Sequence, residues 1–170
     1  MKIKILIPVY NDWQSAFKLL ENINSEVSNL GHEFSVIIVN DASTESRPEL
    51  SKNLDNLNSI KIINMKENRG HARCNASGLK HIYENEEFDY VIPMDGDGED
   101  RPEEIKQLVD NLNYHPDKPI VGERIKRSES IFFQFCYFIH KLITFVFSGE
   151  TIKFGNYTCL PKSIVEKMIN

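Results

Sequence analysis

Short apolar runs alternate along this chain with longer segments whose apolar residues recur at helical spacing. Residues 3–9 form an apolar run rich in β-branched side chains, and residues 13–27 carry apolar positions three or four residues apart. The same pattern predicts further strands at 34–39, 60–63, 90–94 and 119–122, and helices at 48–57, 72–83 and from 102 onwards. Strands that alternate with helices indicate an α/β fold, with a mostly parallel sheet and helices on both faces.

Polar residues follow each of the first four predicted strands. The four segments are Tyr10-Asn11-Asp12, Asn40-Asp41-Ala42-Ser43, Asn68-Arg69-Gly70-His71 and the acidic run that begins after Met94. In open parallel sheets, ligands bind beyond the carboxyl ends of the strands. We therefore expect the four loops to meet at one edge of the sheet and to form a single site.

The loop after the fourth strand carries four carboxylates within six residues, at Asp95, Asp97, Glu99 and Asp100. Like charges this close repel one another, and a hard divalent cation with oxygen ligands relieves the repulsion. The alternative is a solvated acidic turn that caps the next helix, a role that suits Asp100. Capping does not explain Asp95 and Asp97 at the end of a strand, so we predict a metal site.

The sequence argues against several other ligand classes. Counted from Asp95, the sixth residue is Asp100 and the twelfth is Lys106, whereas an EF-hand needs Gly and Glu there. The first loop contains neither the glycine-rich dinucleotide motif nor the P-loop motif. The net charge of -5 argues against a general nucleic-acid binder. Three cysteines without metal-type spacing indicate a reduced, cytoplasmic compartment.

A phosphate ligand at this site needs a source of positive charge. A cation held by Asp97 and a neighbour supplies one, and Arg69 supplies another. Asp12 and Asp41 are candidates to accept hydrogen bonds from a base or ribose, but each also suits a helix N-cap, and the sequence favours neither role. His71 on its own is expected to be structural.

Taken together, these loops resemble the successive motifs of family 2 glycosyltransferases with the GT-A fold. The matching segments are 7–12, 39–43, 68–70 and 94–97, and the run 94–104 is most similar to the branch of dolichol-phosphate mannose synthase and the polyprenyl-phosphate glycosyltransferases. The resemblance spans Lys2 to about Arg127. It implies inverting transfer from a UDP- or GDP-linked sugar to a lipid phosphate or a glycan. The alternative is a degenerate nucleotide-binding module without turnover.

The resemblance also implies roles for individual residues. The donor-binding residues would be Pro8, Tyr10 and Asp12 near the base, Asp41 at the base or ribose, and Asp95 by the ribose and diphosphate. The metal ligands for Mg²⁺ or Mn²⁺ would be Asp97 and Glu99, although relatives often carry Gln at the second position. Asp95 and Asp97 are the expected catalytic residues.

The second half of the chain is expected to face the acceptor. Arg124 and Arg127 lie where the resembling branch meets a lipid phosphate, and residues 131–147 are almost continuously apolar. That run is shorter than the ~20 residues of a membrane span, so it predicts a core helix, a dimer contact or a helix at the membrane surface.

We therefore expect a single domain over residues 1–170. Its nucleotide-sugar part would cover 1–127 and its acceptor part 128–170. The C-terminal part is expected to be short, because only one short helix fits after Pro161. The site of action would be the cytoplasm, at the inner face of the membrane.

Overall fold

The computed structural model describes residues 1–50, 52–122 and 157–170. Six strands lie within these ranges: β1 (Lys2–Val9), β2 (Glu33–Asn40), β3 (Ser59–Asn64), β4 (Tyr90–Pro93), β5 (Ile120–Val121) and β6 (Thr158–Pro161). The helices are α1 (Trp13–Glu26), α2 (His71–Asn85), a 3₁₀ turn (Pro102–Glu104) continuing into α3 (Ile105–Leu112), and α4 (Lys162–Ile169). The predictions for Arg124, Arg127 and the apolar run 131–147 lie outside the described residues.

The strands form one sheet in the order β3-β2-β1-β4-β6-β5. The first four of these are parallel, whereas β6 runs antiparallel to both β4 and β5. The α/β prediction of a mostly parallel sheet is therefore confirmed. Strand β6 was not predicted, because it is a strand only through its pairing with β4 and β5, which lie far from it in the sequence.

Alternate residues of β1 face opposite layers of helices. Ile3, Ile5 and Ile7 are fully buried in the core that contains α1 and α3. Leu6 lies in the second core, which contains α2 and α4. Each such side chain contributes roughly 1.5–3 kcal/mol by leaving water. Helices therefore cover both faces of the sheet, as the sequence predicts.

Helix α2 packs unusually close to the sheet at Gly78. A Cβ placed there would lie 2.4 Å from Leu6 Cδ1 and 2.9 Å from Val39 Cγ2, well inside normal contact. The missing side chain lets α2 approach β1 and β2.

A buried ion pair holds the other end of α2. Lys4 Nζ lies 3.0 Å from Glu86 Oε2, and both side chains are at most one-tenth exposed. Glu86 also pairs with Lys61 on β3. Burial raises the pKa of Glu86, but hydrogen bonds from the two lysines outweigh it and leave the pKa lowered. Each oxygen of the Glu86 carboxylate therefore has a lysine beside it, so its buried negative charge is paired.

The helix predicted at 48–57 is wrong. Residues 48–50 and 52–57 contain bends and turns but no helix. The Asn56 backbone N–H donates to Asn24 Oδ1, and the Asn56 side-chain amide donates to the Asn24 carbonyl oxygen, each at 2.9 Å. These bonds join Asn56 to α1 in place of the i to i−4 backbone bonds that a helix would make. Asparagine side chains also favour turns over helices, because they hydrogen-bond to nearby backbone groups.

Candidate functional site

The loops after β1 and β2 are bound to each other through Asn11. The Asn11 backbone N–H donates to Ser43 Oγ at 2.9 Å, and Asn11 Oδ1 accepts from the backbone N–H groups of Thr44 and Glu45 at 2.7 and 3.1 Å. Asn11 and Ala42 both have positive φ, at 54° and 56°. Left-handed backbone is rare outside glycine and is typical of functional loops that their surroundings hold in place. Asn11 and its partners are 32 to 34 residues apart in the sequence, so only the folded structure shows that these two loops are bound together.

Asp41 joins the loop after β2 to the start of α2. The side chain is 3% exposed, and its Oδ1 and Oδ2 accept from the backbone N–H groups of Arg69 and Gly70 at 2.9 and 2.8 Å. Gly70 has φ of 82°, a conformation that strongly favours glycine. Asp41 thus supports the N-terminus of a distant helix, where a negative charge is favourable.

The acidic loop closes on itself through two of its own carboxylates. Asp100, which is 2% exposed, accepts from the Asp95 backbone N–H at 2.9 Å, and Asp97 Oδ1 accepts from the Glu99 backbone N–H at the same distance. The N-cap position of the following 3₁₀ turn is Arg101, so the prediction that Asp100 caps this helix is wrong. The buried Asp100 carboxylate instead lies inside the loop, where it satisfies a backbone N–H donor.

Tyr157 supports this loop from the core side. It is 3% exposed, and its hydroxyl donates to the Arg101 carbonyl oxygen at 3.1 Å. Burial, followed by the nearby negative charge of Asp100, raises the pKa of the phenol. Tyr157 therefore stays a neutral donor, and it connects the loop to the segment before β6. Sequence reasoning missed it because its partner is 56 residues away.

A cavity of about 220 Å³ lies where the loops after β1 and β4 meet. It is lined by Pro8, Val9, Tyr10, Asp12, His71, Asp95, Gly96 and Asp97. Five predicted site residues, Pro8, Tyr10, Asp12, Asp95 and Asp97, are therefore brought together. Gly96 permits the close approach, since a Cβ there would lie 3.1 Å from the Pro8 carbonyl oxygen.

Asp41, Arg69 and Glu99 do not line this cavity. The Arg69 guanidinium pairs with Glu67, two residues earlier in the same loop. Asp12 lines the cavity but also caps α1, because its Oδ1 accepts from the Ser15 N–H at 3.3 Å. A second groove of about 390 Å³, which Asp97 also lines, lies between α1 and the 3₁₀ turn.

His71 contributes a side chain that was not predicted for the site. It is the first residue of α2, and its imidazole Nε2 lies 3.3 Å from Asp95 Oδ1. The imidazole is 53% exposed and the Asp95 side chain 24% exposed, so the pair faces the cavity. The loops after β3 and β4 therefore meet through this contact.

The acidic loop fits a divalent cation that a ligand completes. Asp97 and Glu99 are both exposed and lie on one tight turn, which Gly98 allows with φ of 82°. Within the described ranges, no three acidic, histidine or cysteine side chains form a preformed metal group. Mg²⁺ is usually held by one or two carboxylates together with substrate phosphates. Two carboxylates beside an open cavity match that donor set.

The fold and the cavity define an α/β protein that binds a ligand at the carboxyl edge of its parallel strands. The model of "Glycosyl transferase family 2" matches residues 4–155. The chain therefore belongs to glycosyl transferase family 2, which confirms the family predicted from its loops.

The curated relatives carry names from the polyprenyl-phosphate branch. Undecaprenyl-phosphate 4-deoxy-4-formamido-L-arabinose transferase of Klebsiella pneumoniae (strain 342) is 26% identical over 177 aligned residues, covering 99% of this chain and 51% of that protein. The protein of the same name from Salmonella paratyphi B is 27% identical and is covered to 50%. The chain thus spans about half the length of these relatives.

Solved structures share the fold. S. aureus TarS 1-349 in complex with UDP has a TM-score of 0.63 at 16% identity, over 98% of this chain and 48% of that one. The mannosyltransferase PcManGT from Pyrobaculum calidifontis, in complex with GDP-Man and Mn²⁺, has a TM-score of 0.62 at 18% identity, over 98% and 46%. These neighbours confirm the GT-A fold.

The described helices were also compared with the length of a bilayer crossing. None of those in residues 1–50, 52–122 and 157–170 is long and apolar enough to span a membrane.

Proposed function

We propose that this protein transfers a sugar from a nucleoside diphosphate sugar to a lipid phosphate, with inversion at the anomeric carbon. The observation that carries the proposal is the cavity in which Tyr10 and Asp12 meet Asp95 and Asp97. The relatives are named for transfer to undecaprenyl phosphate, and the structural neighbours hold UDP or GDP-Man. Both support this choice of donor and acceptor.

The donor's nucleoside would lie at the end of the cavity formed by β1. Tyr10 is 49% exposed, so it offers an aromatic side chain on which a base can stack. Asp12 would accept hydrogen bonds from the base, and Pro8 would form the apolar floor. Asp41 would act mainly through the loop it holds, since both its oxygens already accept backbone hydrogen bonds.

The diphosphate would lie against the acidic loop. Asp97 and Glu99 would hold Mg²⁺ or Mn²⁺, and this cation would offset the negative charge on the departing nucleoside diphosphate. Asp95 would contact the ribose and orient the donor. Arg69 would reach a phosphate only after leaving Glu67, so we assign it a secondary role.

An acceptor phosphate needs little help from the protein to react. It is already ionised near neutral pH, so one of its oxygens can attack the anomeric carbon without a general base. We propose that Arg124 and Arg127 hold this phosphate, and that residues 131–147 contact the membrane surface or a second copy of the chain. Residues 1–127 would then bind the donor and residues 128–170 the acceptor.

Calorimetry with UDP and GDP, each with and without Mn²⁺, tests the donor site. We expect one nucleotide to bind more tightly with Mn²⁺, and Asp97→Ala to remove that gain. Asp110→Ala is the matched control, because it deletes the same charge on the exposed face of α3. Equal, metal-independent affinity in wild type and Asp97→Ala would contradict the proposal.

A transfer assay separates the enzyme from a degenerate binding module. Wild-type protein would be given the preferred nucleotide sugar and undecaprenyl phosphate in detergent, and the release of nucleoside diphosphate would be followed. Sustained release that requires the lipid supports the proposed reaction. Tight nucleotide binding without any release would favour the module instead.

A further inference from the structure

His71 and Asp95 come from different loops but share the wall of one cavity. Their contact joins imidazole Nε2 to carboxylate Oδ1 over 3.3 Å. The same cavity is lined by Tyr10, Asp12 and Asp97. The contact therefore lies among the residues that would bind the donor.

The backbone at His71 is fixed by its neighbours rather than by its own side chain. Gly70 N–H donates to Asp41 Oδ2 at 2.8 Å, and Cys74 N–H donates to the Gly70 carbonyl at 3.0 Å. Asp41 is itself buried. Because the start of α2 is held in this way, the imidazole can orient Asp95 without first being ordered by it.

We propose that His71 is a positioning residue for Asp95. The Nε2–H donates to Asp95 Oδ1 and holds the carboxylate in the direction of the donor's ribose and diphosphate. Hydrogen bonds to a charged acceptor are stronger than neutral ones, so such a bond helps to fix a partly exposed carboxylate. This inference rests on the proposed function, because it assigns the oriented carboxylate to the nucleotide-sugar site.

Asn75 explains why Nε2 should carry the proton. Its side-chain Nδ2 lies one helical turn after His71 and 2.9 Å from the same Nε2. Asn75 Oδ1 is buried and has no hydrogen-bond partner among the described residues. With the amide turned so that this oxygen faces the ring, Nε2–H donates to both Asp95 and Asn75. That arrangement gives Asn75 Oδ1 its partner.

Helix α2 carries its own control. His81 and Asn85 repeat the same pair at the same spacing, with His81 Nδ1 lying 3.5 Å from Asn85 Nδ2. His81 is outside the cavity at the other end of the helix. His81→Ala therefore removes an equivalent imidazole and leaves the site intact.

Nucleotide calorimetry with Mn²⁺ on His71 variants tests the role in the site. We expect His71→Ala to weaken the preferred nucleotide about tenfold, as for one hydrogen bond to a charged group. His71→Gln should restore most of the affinity, because the glutamine amide nitrogen reaches the place of Nε2. His71→Asn should not, because the shorter asparagine amide reaches only the place of Nδ1. His81→Ala should change nothing. Equal loss in the Gln and Ala variants, or no loss in either, would overturn the inference.

A double-mutant cycle separates action through Asp95 from direct contact with the ligand. If His71 works through Asp95, His71→Ala should change affinity less than twofold in an Asp95→Asn background. Full additivity would overturn the positioning role. A fall in Tm that matches the affinity loss would show instead that His71 only stabilises the fold.

A ligand-free measurement keeps this result separate from the proposed function. Nitrogen-15 NMR of the imidazoles should show His71 protonated at Nε2, with a shift on Asp95→Asn and none at His81. If wild type binds no nucleotide but this signature is present, the proposed function fails while the contact stands. If the signature is absent, the contact itself is refuted.

Discussion

Replacing Asp41 with alanine should destabilise the protein by about 3 kcal/mol, because it removes two hydrogen bonds to a buried carboxylate at roughly 1.5 kcal/mol each. The two donors are the backbone N–H groups of Arg69 and Gly70, at 2.9 and 2.8 Å. Asp41 is 3% exposed, so water cannot easily replace the lost acceptor. For a domain of this size, the Tm should fall by about 6–12 °C.

Urea unfolding followed by tryptophan fluorescence measures this loss. Trp13 is the one tryptophan and is 4% exposed at the start of α1, so its emission reports on the core. Asp41→Asn should have an intermediate cost, because its amide oxygen can accept from one N–H while its NH₂ faces the other. Asp12→Ala is the control, since it removes one 3.3 Å capping bond at an exposed position and should cost about 1 kcal/mol.

Stability and nucleotide affinity, measured together, distinguish a supporting role for Asp41 from direct contact with the ligand. If Asp41→Ala unfolds no more easily than Asp12→Ala but loses nucleotide affinity completely, Asp41 acts as a ligand contact and not as a support for α2. If both stability and affinity fall, and Asp41→Asn recovers each in part, the supporting role stands.

Three further predictions concern the core. Gly78→Ala should destabilise the fold by about 1–3 kcal/mol in urea unfolding, since the added methyl overlaps Leu6. Glu86→Ala should cost about 3 kcal/mol, because it leaves a buried lysine unpaired. Burial raises the pKa of the Cys74 thiol to about 11 and that of the Cys159 thiol to about 12. Native protein at pH 8 should therefore not react with a thiol reagent at either site. The free energy of unfolding should fall as pH rises from 9 towards 12.

Each of these has a control. Ala76→Gly on the exposed side of α2 measures helix propensity apart from packing at Gly78. Glu84→Ala removes an exposed carboxylate of the same helix and should cost less than 1 kcal/mol. Fast labelling of Cys74 or Cys159 in native protein would contradict their burial. In the unfolded state the thiols ionise at a lower pH than they do when buried. Above the pKa of the unfolded thiols, rising pH therefore favours the unfolded state.

The sequence predicted most of the fold because its signals are periodic. The alternation of β-branched runs with helical stripes gave the four parallel strands and helices α1 to α3 with small errors at their ends. It failed at 48–57, where bonds between Asn56 and Asn24 outweigh a short helical pattern. It missed β6, which needs β4 and β5 beside it to be a strand at all.

The sequence by itself determined that polar loops would gather at one edge of a parallel sheet, because strand direction and crossover handedness leave few other arrangements. It did not determine which side chains face the ligand. Asp41 turned to the start of α2, Arg69 turned to Glu67, and His71 turned to Asp95. Only the tertiary structure decided these directions, because a side chain near the end of an element is oriented by the local backbone and by the polar groups that the fold brings beside it.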